Sequence, residues 1–186
     1  MKSGQSGTAL YFLLFLIVHE RCDACDWMMS QYSMKSRSSL SLLKDMGGEM
    51  TSVKGPFPRL VYNEVMKAKA EDQVRFLAEA TEQIIVLFSP LTAHVDEVKW
   101  DGRALDNFLN ILDTRQLKEL KQCTAAYAER SGRSWSERKL RRHFRKLKEI
   151  LKKSNYSANS LERIRNVVQQ HLGMMDIITA NVRHKL

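Results

Sequence analysis

In every long segment of this chain the apolar residues return at intervals of three and four, the period of a helix. No stretch alternates at period two for the length of a strand. Leu40, Leu43 and Met46 form a stripe on a first helix expected over about 26–46, with Gly47 as its stop. A second helical region is expected from near Arg59. It is strongest over 73–88, where Leu77, Ala80, Ile84 and Phe88 share a face, and Ser89-Pro90 ends it. A third, over about 101–128, carries Leu105, Phe108, Leu112 and Leu120. A fourth, over about 136–153, stacks Leu140, Phe144, Leu147 and Leu151, with Ser136 as its expected N-cap. A fifth begins near Ser157, with Ser157 or Asn159 to cap it, and aligns Leu161, Ile164, Val168, Leu172, Met175 and Ile178. None of these stripes can be buried by one helix alone. The pattern therefore predicts an all-α bundle of about five long helices, with the loop 47–58 long enough to serve as an overhand crossover.

A length of 186 residues with 44% hydrophobic composition fills one core and leaves too little chain for two ordinary domains. The net charge is +9, and its distribution is uneven. Between Arg133 and Lys153 stand ten basic residues opposed only by Glu137 and Glu149, so one helix carries nearly the whole excess. Such a face can simply be solvated. It can also serve an acidic patch on a receptor, a heparan-type glycan or a nucleic acid. No finger, basic-zipper or aromatic RNA-binding motif accompanies it, which argues against nucleic acid.

The amino terminus opens with Lys2 and runs apolar from Ala9 to Val18. Ten residues make a helix of about 15 Å, about half a bilayer core, so the segment suits the h-region of a signal peptide rather than a membrane anchor. Cys22 and Ala24 stand where small residues precede a cleavage site, which divides the chain into a cleaved leader, 1–24, and a single secreted domain, 25–186. The alternative is an N-terminal core helix. Cysteine parity favours the cut, because loss of Cys22 leaves Cys25 and Cys123. The two can stay as buried thiols, but an oxidising compartment favours one disulfide between them.

Reactive chemistry has no sequence signature here. The four histidines after residue 24, His94, His143, His171 and His184, lack metal-ligand spacing, and there is no P-loop, GxGxxG or GxSxG. The expectation is no enzyme, no metal and no cofactor. One N-x-[ST] sequon, Asn155-Tyr156-Ser157, falls at the turn between the last two helices and makes Asn155 a glycosylation candidate.

Several short motifs resemble, in order along the chain, those of a type I interferon, most closely the teleost members. They are Cys25-Asp26, then Ser36-Arg37 with Leu40 and Leu42-Leu43, Met46-Gly47-Gly48, Phe57-Pro58, Leu87-Phe88-Ser89, Trp100-Asp101 and Leu105-Asp106-Asn107-Phe108. Cys123, His143-Phe144, Tyr156-Ser157, Glu162, Ile164-Arg165 and Met175-Asp176-Ile177-Ile178 complete the series. Two positions depart from the family pattern: Leu161 stands where a Trp is usual, and Asn159 where many members carry a second-disulfide Cys. The latter resembles the two-cysteine group of fish interferons.

The resemblance implies a helical-cytokine fold and a secreted ligand that joins two class II cytokine receptor chains and induces antiviral genes through JAK-STAT signalling. It implies that one receptor chain contacts Arg165, Asn166, Gln169, Gln170 and Met174 on the last helix with Lys54 in the first loop, and that the other contacts Val86, Ala104, Leu109 and Arg141. Arg165 is the expected anchor, its loss costing about 1–3 kcal/mol of affinity. No membrane insertion is expected. The competing reading is a secreted basic helical protein acting directly on anionic membranes or glycans.

Overall fold

The helical period is realised along the chain. A computed structural model describes Cys25 and residues 30–49, 55–128 and 132–185. Its helices are α1 (Tyr32–Asp45), α2 (Arg59–Lys67), α3 (Ala70–Phe88), a 3-10 turn (Ser89–His94), the short α4 (Val95–Val98), α5 (Gly102–Asn110), α6 (Lys118–Ala128), α7 (Trp135–Lys153) and α8 (Ala158–Arg183). The described residues contain no strand, only an isolated bridge between Gly47 and Trp100. Central α3 packs against α6, α7 and α8, while α1 lies against α5 and α8. The stripes expected from the sequence meet in one core: Leu77, Ala80, Ile84 and Phe88 of α3 with Leu140, Phe144, Leu147 and Leu151 of α7 and Leu161, Ile164, Val168 and Met175 of α8. Leu40 is only partly buried against it. The expected leader, 1–24, and Lys54 lie outside the described residues.

Two local expectations are corrected, and the third helix, found over the expected span, contains a π-helical stretch. The second helical region is two helices, because Ala68 and Lys69 turn extended. That break leaves the carbonyls of Met66 and Ala68 without helical partners, and distant side chains take them up. Gln73 Nε2 donates to both, Asn181 Nδ2 donates to Met66, and Lys185 Nζ donates to both. The third helix is capped by the Asp101 carboxylate, which accepts from the backbone of Arg103 and Ala104, and it runs from α5 into α6 through a π-helical stretch, Ile111–Leu117. The cap of α7 is Ser134, not Ser136: Ser134 Oγ accepts from Glu137 N and the Glu137 carboxylate accepts from Ser134 N, a reciprocal capping box. Ser157 does occupy the cap position of α8, but its hydroxyl makes no cap hydrogen bond.

Cys25 and Cys123 form a disulfide across 98 residues, tying the expected mature start to α6. Closing a loop of that length removes about 4–5 kcal/mol of chain entropy from the unfolded state in the simplest model.

Candidate receptor-facing surfaces

The crossover loop re-enters the described chain at Gly55 and lies directly on α8, so close that a Cβ there would meet Val167 Cγ2. Two residues on, Phe57 stacks on Tyr62 at 5.2 Å between ring centres and lies 4.9 Å from His171. Tyr62 Oη and His171 Nδ1 are 2.5 Å apart, and His171 Nε2 lies 3.0 Å from His143 Nε2. This polar chain crosses the core from α2 through α8 to α7. Burial pushes His143 down to about 4, helped by Lys146 one turn away. Burial pushes His171 well below its ordinary value too, helped by His143. Near neutral pH both imidazoles are therefore uncharged in the folded protein. The network fixes the end of the loop against α8.

On α8, Asn166, Gln169, Gln170 and Met174 are half-buried along one side. Gln170 Nε2 donates to Asn166 Oδ1 at 2.9 Å, which holds the two amides in register. Ile177, one turn beyond Met174, is 51% exposed and extends the same side with an apolar group. Sequence reading missed it because Ile178 beside it belongs to the core stripe. Its spacing of three from Met174 was the available signal.

Arg165 requires a correction. It is 1% exposed, among the largest fully buried side chains, and no partner can touch it in this fold. Its Nη1 donates to the Gly47 carbonyl, its Nε lies 3.2 Å from Glu162 Oε2, and its guanidinium sits 5.7 Å from the Trp100 ring centre. Glu162 Oε1 in turn accepts from Trp100 Nε1 at 2.8 Å. Burial raises the Glu162 pKa while Trp100 and Arg165 oppose the rise, and burial likewise lowers that of Arg165. The glycine pair makes this site: Gly47 and Gly48 have φ of +89° and +71°, and a Cβ at Gly47 would stand 2.7 Å from the Lys99 carbonyl. Arg165 thus fastens the end of α1 and the segment before α5 to α8. It is a positioning residue rather than a contact.

The second surface is an edge between α3 and α7. Arg141 Nε lies 2.6 Å from Glu79 Oε1 and its Nη2 3.5 Å from Glu82 Oε2, while Lys121 of α6 reaches Glu82 Oε1 at 2.9 Å. Arg75 pairs with Glu137 at 3.2 Å at the start of α7. Glu79, Glu82 and Val86 follow one another at helical spacing, so Val86, 43% exposed, ends the same stripe. Ala104 and Leu109 lie on α5, half-buried and packed against the core. Glu79, Glu82 and Lys121 were not singled out in the sequence, because only the packing of three helices brings them to Arg141.

Asn155 is exposed at the turn after α7, with φ of +49°, a conformation asparagine tolerates well. The described residues hold no group of three His, Cys, Asp or Glu placed to bind a metal, and no helix among them is long and apolar enough to cross a membrane.

A disulfide-tied helical bundle with fastened loops and charged outer edges has the build of a helical cytokine, a ligand read by other proteins. The comparisons with known proteins narrow the class. A model of the interferon alpha/beta domain matches residues 28–182. Interferon a3 of Oncorhynchus mykiss is 38% identical over 174 residues, 92% of this chain and 94% of that one. The solved structure of zebrafish interferon 1 is 43% identical, superposes with a TM-score of 0.79, and spans 85% of this chain and 99% of its own. The chain belongs to the interferon alpha/beta family and is a type I interferon of the teleost kind, a cytokine and not an enzyme.

Proposed function

We propose that residues 1–24 are removed on secretion and that the mature chain, 25–186, acts outside the cell by joining two class II cytokine receptor chains. Joining them starts JAK-STAT signalling and the transcription of antiviral genes. The observation that carries this reading is the match to zebrafish interferon 1 over almost the whole of that chain, at an identity where sequence and fold agree. One receptor chain takes Asn166, Gln169, Gln170 and Met174 of α8, extended by Ile177, together with Lys54 of the crossover loop. Arg165 and the Tyr62–His171–His143 chain hold that side in shape from beneath. The other receptor chain takes Val86 and Arg141, with Ala104 and Leu109 from α5. An N-linked glycan at Asn155 stands at the end of the bundle, and the outer face of α7 is left for an anionic glycan.

The test is an interferon-responsive reporter in fish cells carrying both receptor chains or lacking either one. Mature protein with Cys25 bridged to Cys123 should induce the reporter, and deletion of either chain should abolish induction. Full induction in cells that lack one chain would break the two-chain reading.

A further inference from the structure

The basic excess of α7 divides into two sets once the helix is packed. Arg141 is held by Glu79 and Glu82. Lys139 lies over the Trp135 ring, 5.4 Å from its centre. Glu137, which opposes the excess in sequence, is buried and paired with Arg75. Lys148 is half-buried, and the exposed remainder is Arg138, Arg142, Arg145, Lys146, Lys152 and Lys153. Within it, only Arg138 has a described partner, giving one guanidinium nitrogen to the Arg133 carbonyl. No ion pair joins any of them to a carboxylate among the described residues, and a single exposed acid, Glu149, stands in their midst. At 100° per residue the six fall within about 120° of arc, and from first to last they extend about 22 Å along the axis. They form a straight cationic ridge.

The chemistry of the ridge selects its partner. An interfacial helix needs an apolar face to sink into a bilayer, and here Leu140, Phe144, Leu147 and Leu151 are fully committed to the core. Single-stranded nucleic acid needs aromatic platforms, and the one exposed ring on α7, Trp135, sits at its end and already carries Lys139. What remains is a row of guanidinium and ammonium groups at turn-by-turn spacing. It suits a linear polymer bearing sulfates at regular intervals, because arginine grips tetrahedral oxyanions with two parallel donors. We propose that the outer face of α7 binds sulfated glycans of the heparan type, with Arg142, Arg145 and Lys146 at its centre and Arg138, Lys152 and Lys153 toward its ends. The inference rests on the reading above that the protein acts outside cells. Bound glycan would hold the cytokine near the cells that release it, alongside the Arg141 edge.

The test measures binding of a heparin octasaccharide to the full mature protein at physiological salt. Arg142→Gln/Arg145→Gln/Lys146→Gln should weaken binding at least about tenfold. A control with the same charge change on other exposed sites, Lys44→Gln/Arg103→Gln/Lys118→Gln, should stay within about twofold of wild type. Equal loss in both variants would reduce the effect to net charge and overturn the site. So would equal binding of desulfated heparin, or tighter binding of phosphatidylserine vesicles or a single-stranded RNA homopolymer through the same three residues. On receptor-bearing cells without heparan sulfate, the ridge variant should keep wild-type potency, and a loss there would assign the ridge to a receptor chain instead. Wild-type protein that binds the octasaccharide yet induces nothing on receptor-bearing cells would sink the receptor reading and leave the glycan site standing.

Discussion

Arg165 and Arg141 stand on neighbouring helices, each beside a glutamate, and the two regions around them use the same chemistry to opposite ends. Beneath Gly47, the Arg165–Glu162–Trp100 cluster is buried, and its charged groups are paired with one another and with the Gly47 carbonyl. At the α3–α7 edge, Arg141 keeps about a third of its side chain in solvent and shares two glutamates, one of which also holds Lys121. A sealed arginine is a fastener whose loss strands a buried acid. An edge arginine is a contact that a partner can compete for. The difference is one of burial rather than residue type, and four measurements can break or sharpen it.

The largest effect of a single substitution falls at the sealed cluster. Arg165→Ala should cost about 3–5 kcal/mol of stability, because Glu162 stays behind as an uncompensated buried charge. Thermal melts with and without Glu162→Gln check this, since neutralising the stranded acid should recover part of the loss. A variant as stable as wild type but weak in receptor binding would return Arg165 to the interface.

Next comes acid sensitivity of the buried imidazoles. His143 and His171 have folded-state pKa values below the ordinary 6.5, so the unfolded chain takes up protons first. The stability they contribute is full above pH 6.5 and is lost as pH falls from there toward about 4, the value of His143. The slope is about 1.4 kcal/mol per pH unit for each imidazole. Denaturation midpoints at pH 7, 5.5 and 4 should fall in that order. Replacing His143 with Gln should flatten the profile, and a profile already flat in the wild type would contradict the neutral network.

The edge should answer differently. Arg141→Ala should cost less, about 1–3 kcal/mol of stability, because the Glu79 it leaves is buried but Arg141 itself is partly in solvent, while binding to the second receptor chain weakens by about tenfold. Binding by surface plasmon resonance beside a melt separates the two effects. A large melting shift with unchanged affinity would make Arg141 a second fastener and erase the contrast.

The smallest structural effect is expected at the α7–α8 turn. Ser157→Ala removes the sequon without touching the positive φ of Asn155, and the Ser157 hydroxyl makes no cap bond. Stability should change by less than about 0.5 kcal/mol. Protein secreted from fish cells should lose the mass of one glycan on a gel, and an unchanged mass would leave Asn155 unmodified.

Much of this fold was legible in the chain alone. The apolar stripes of α3, α7 and α8 were read residue by residue because their spacing of three and four is local, and the same residues line the core. The break at Ala68-Lys69 was not legible, since the groups that answer its carbonyls include Asn181 and Lys185, more than a hundred residues away. The cap of α7 was missed by two residues, although the Ser134 to Glu137 spacing was present to be read. For the surfaces, the sequence placed Arg141 on a charged helix but gave no sign of Glu79 and Glu82 beside it. It nominated Arg165 and could not reveal that a glycine pair 118 residues earlier closes over it.

The sequence by itself determined that the chain is helical, where its stripes lie, and that the positive charge gathers on one helix. These follow from periodicity and composition, which each segment carries within itself. Only the tertiary structure decided which polar side chains are fasteners and which are faces. That choice depends on what packs over a residue from elsewhere in the chain, and the free energy of a charged group turns on whether water or another helix reaches it first.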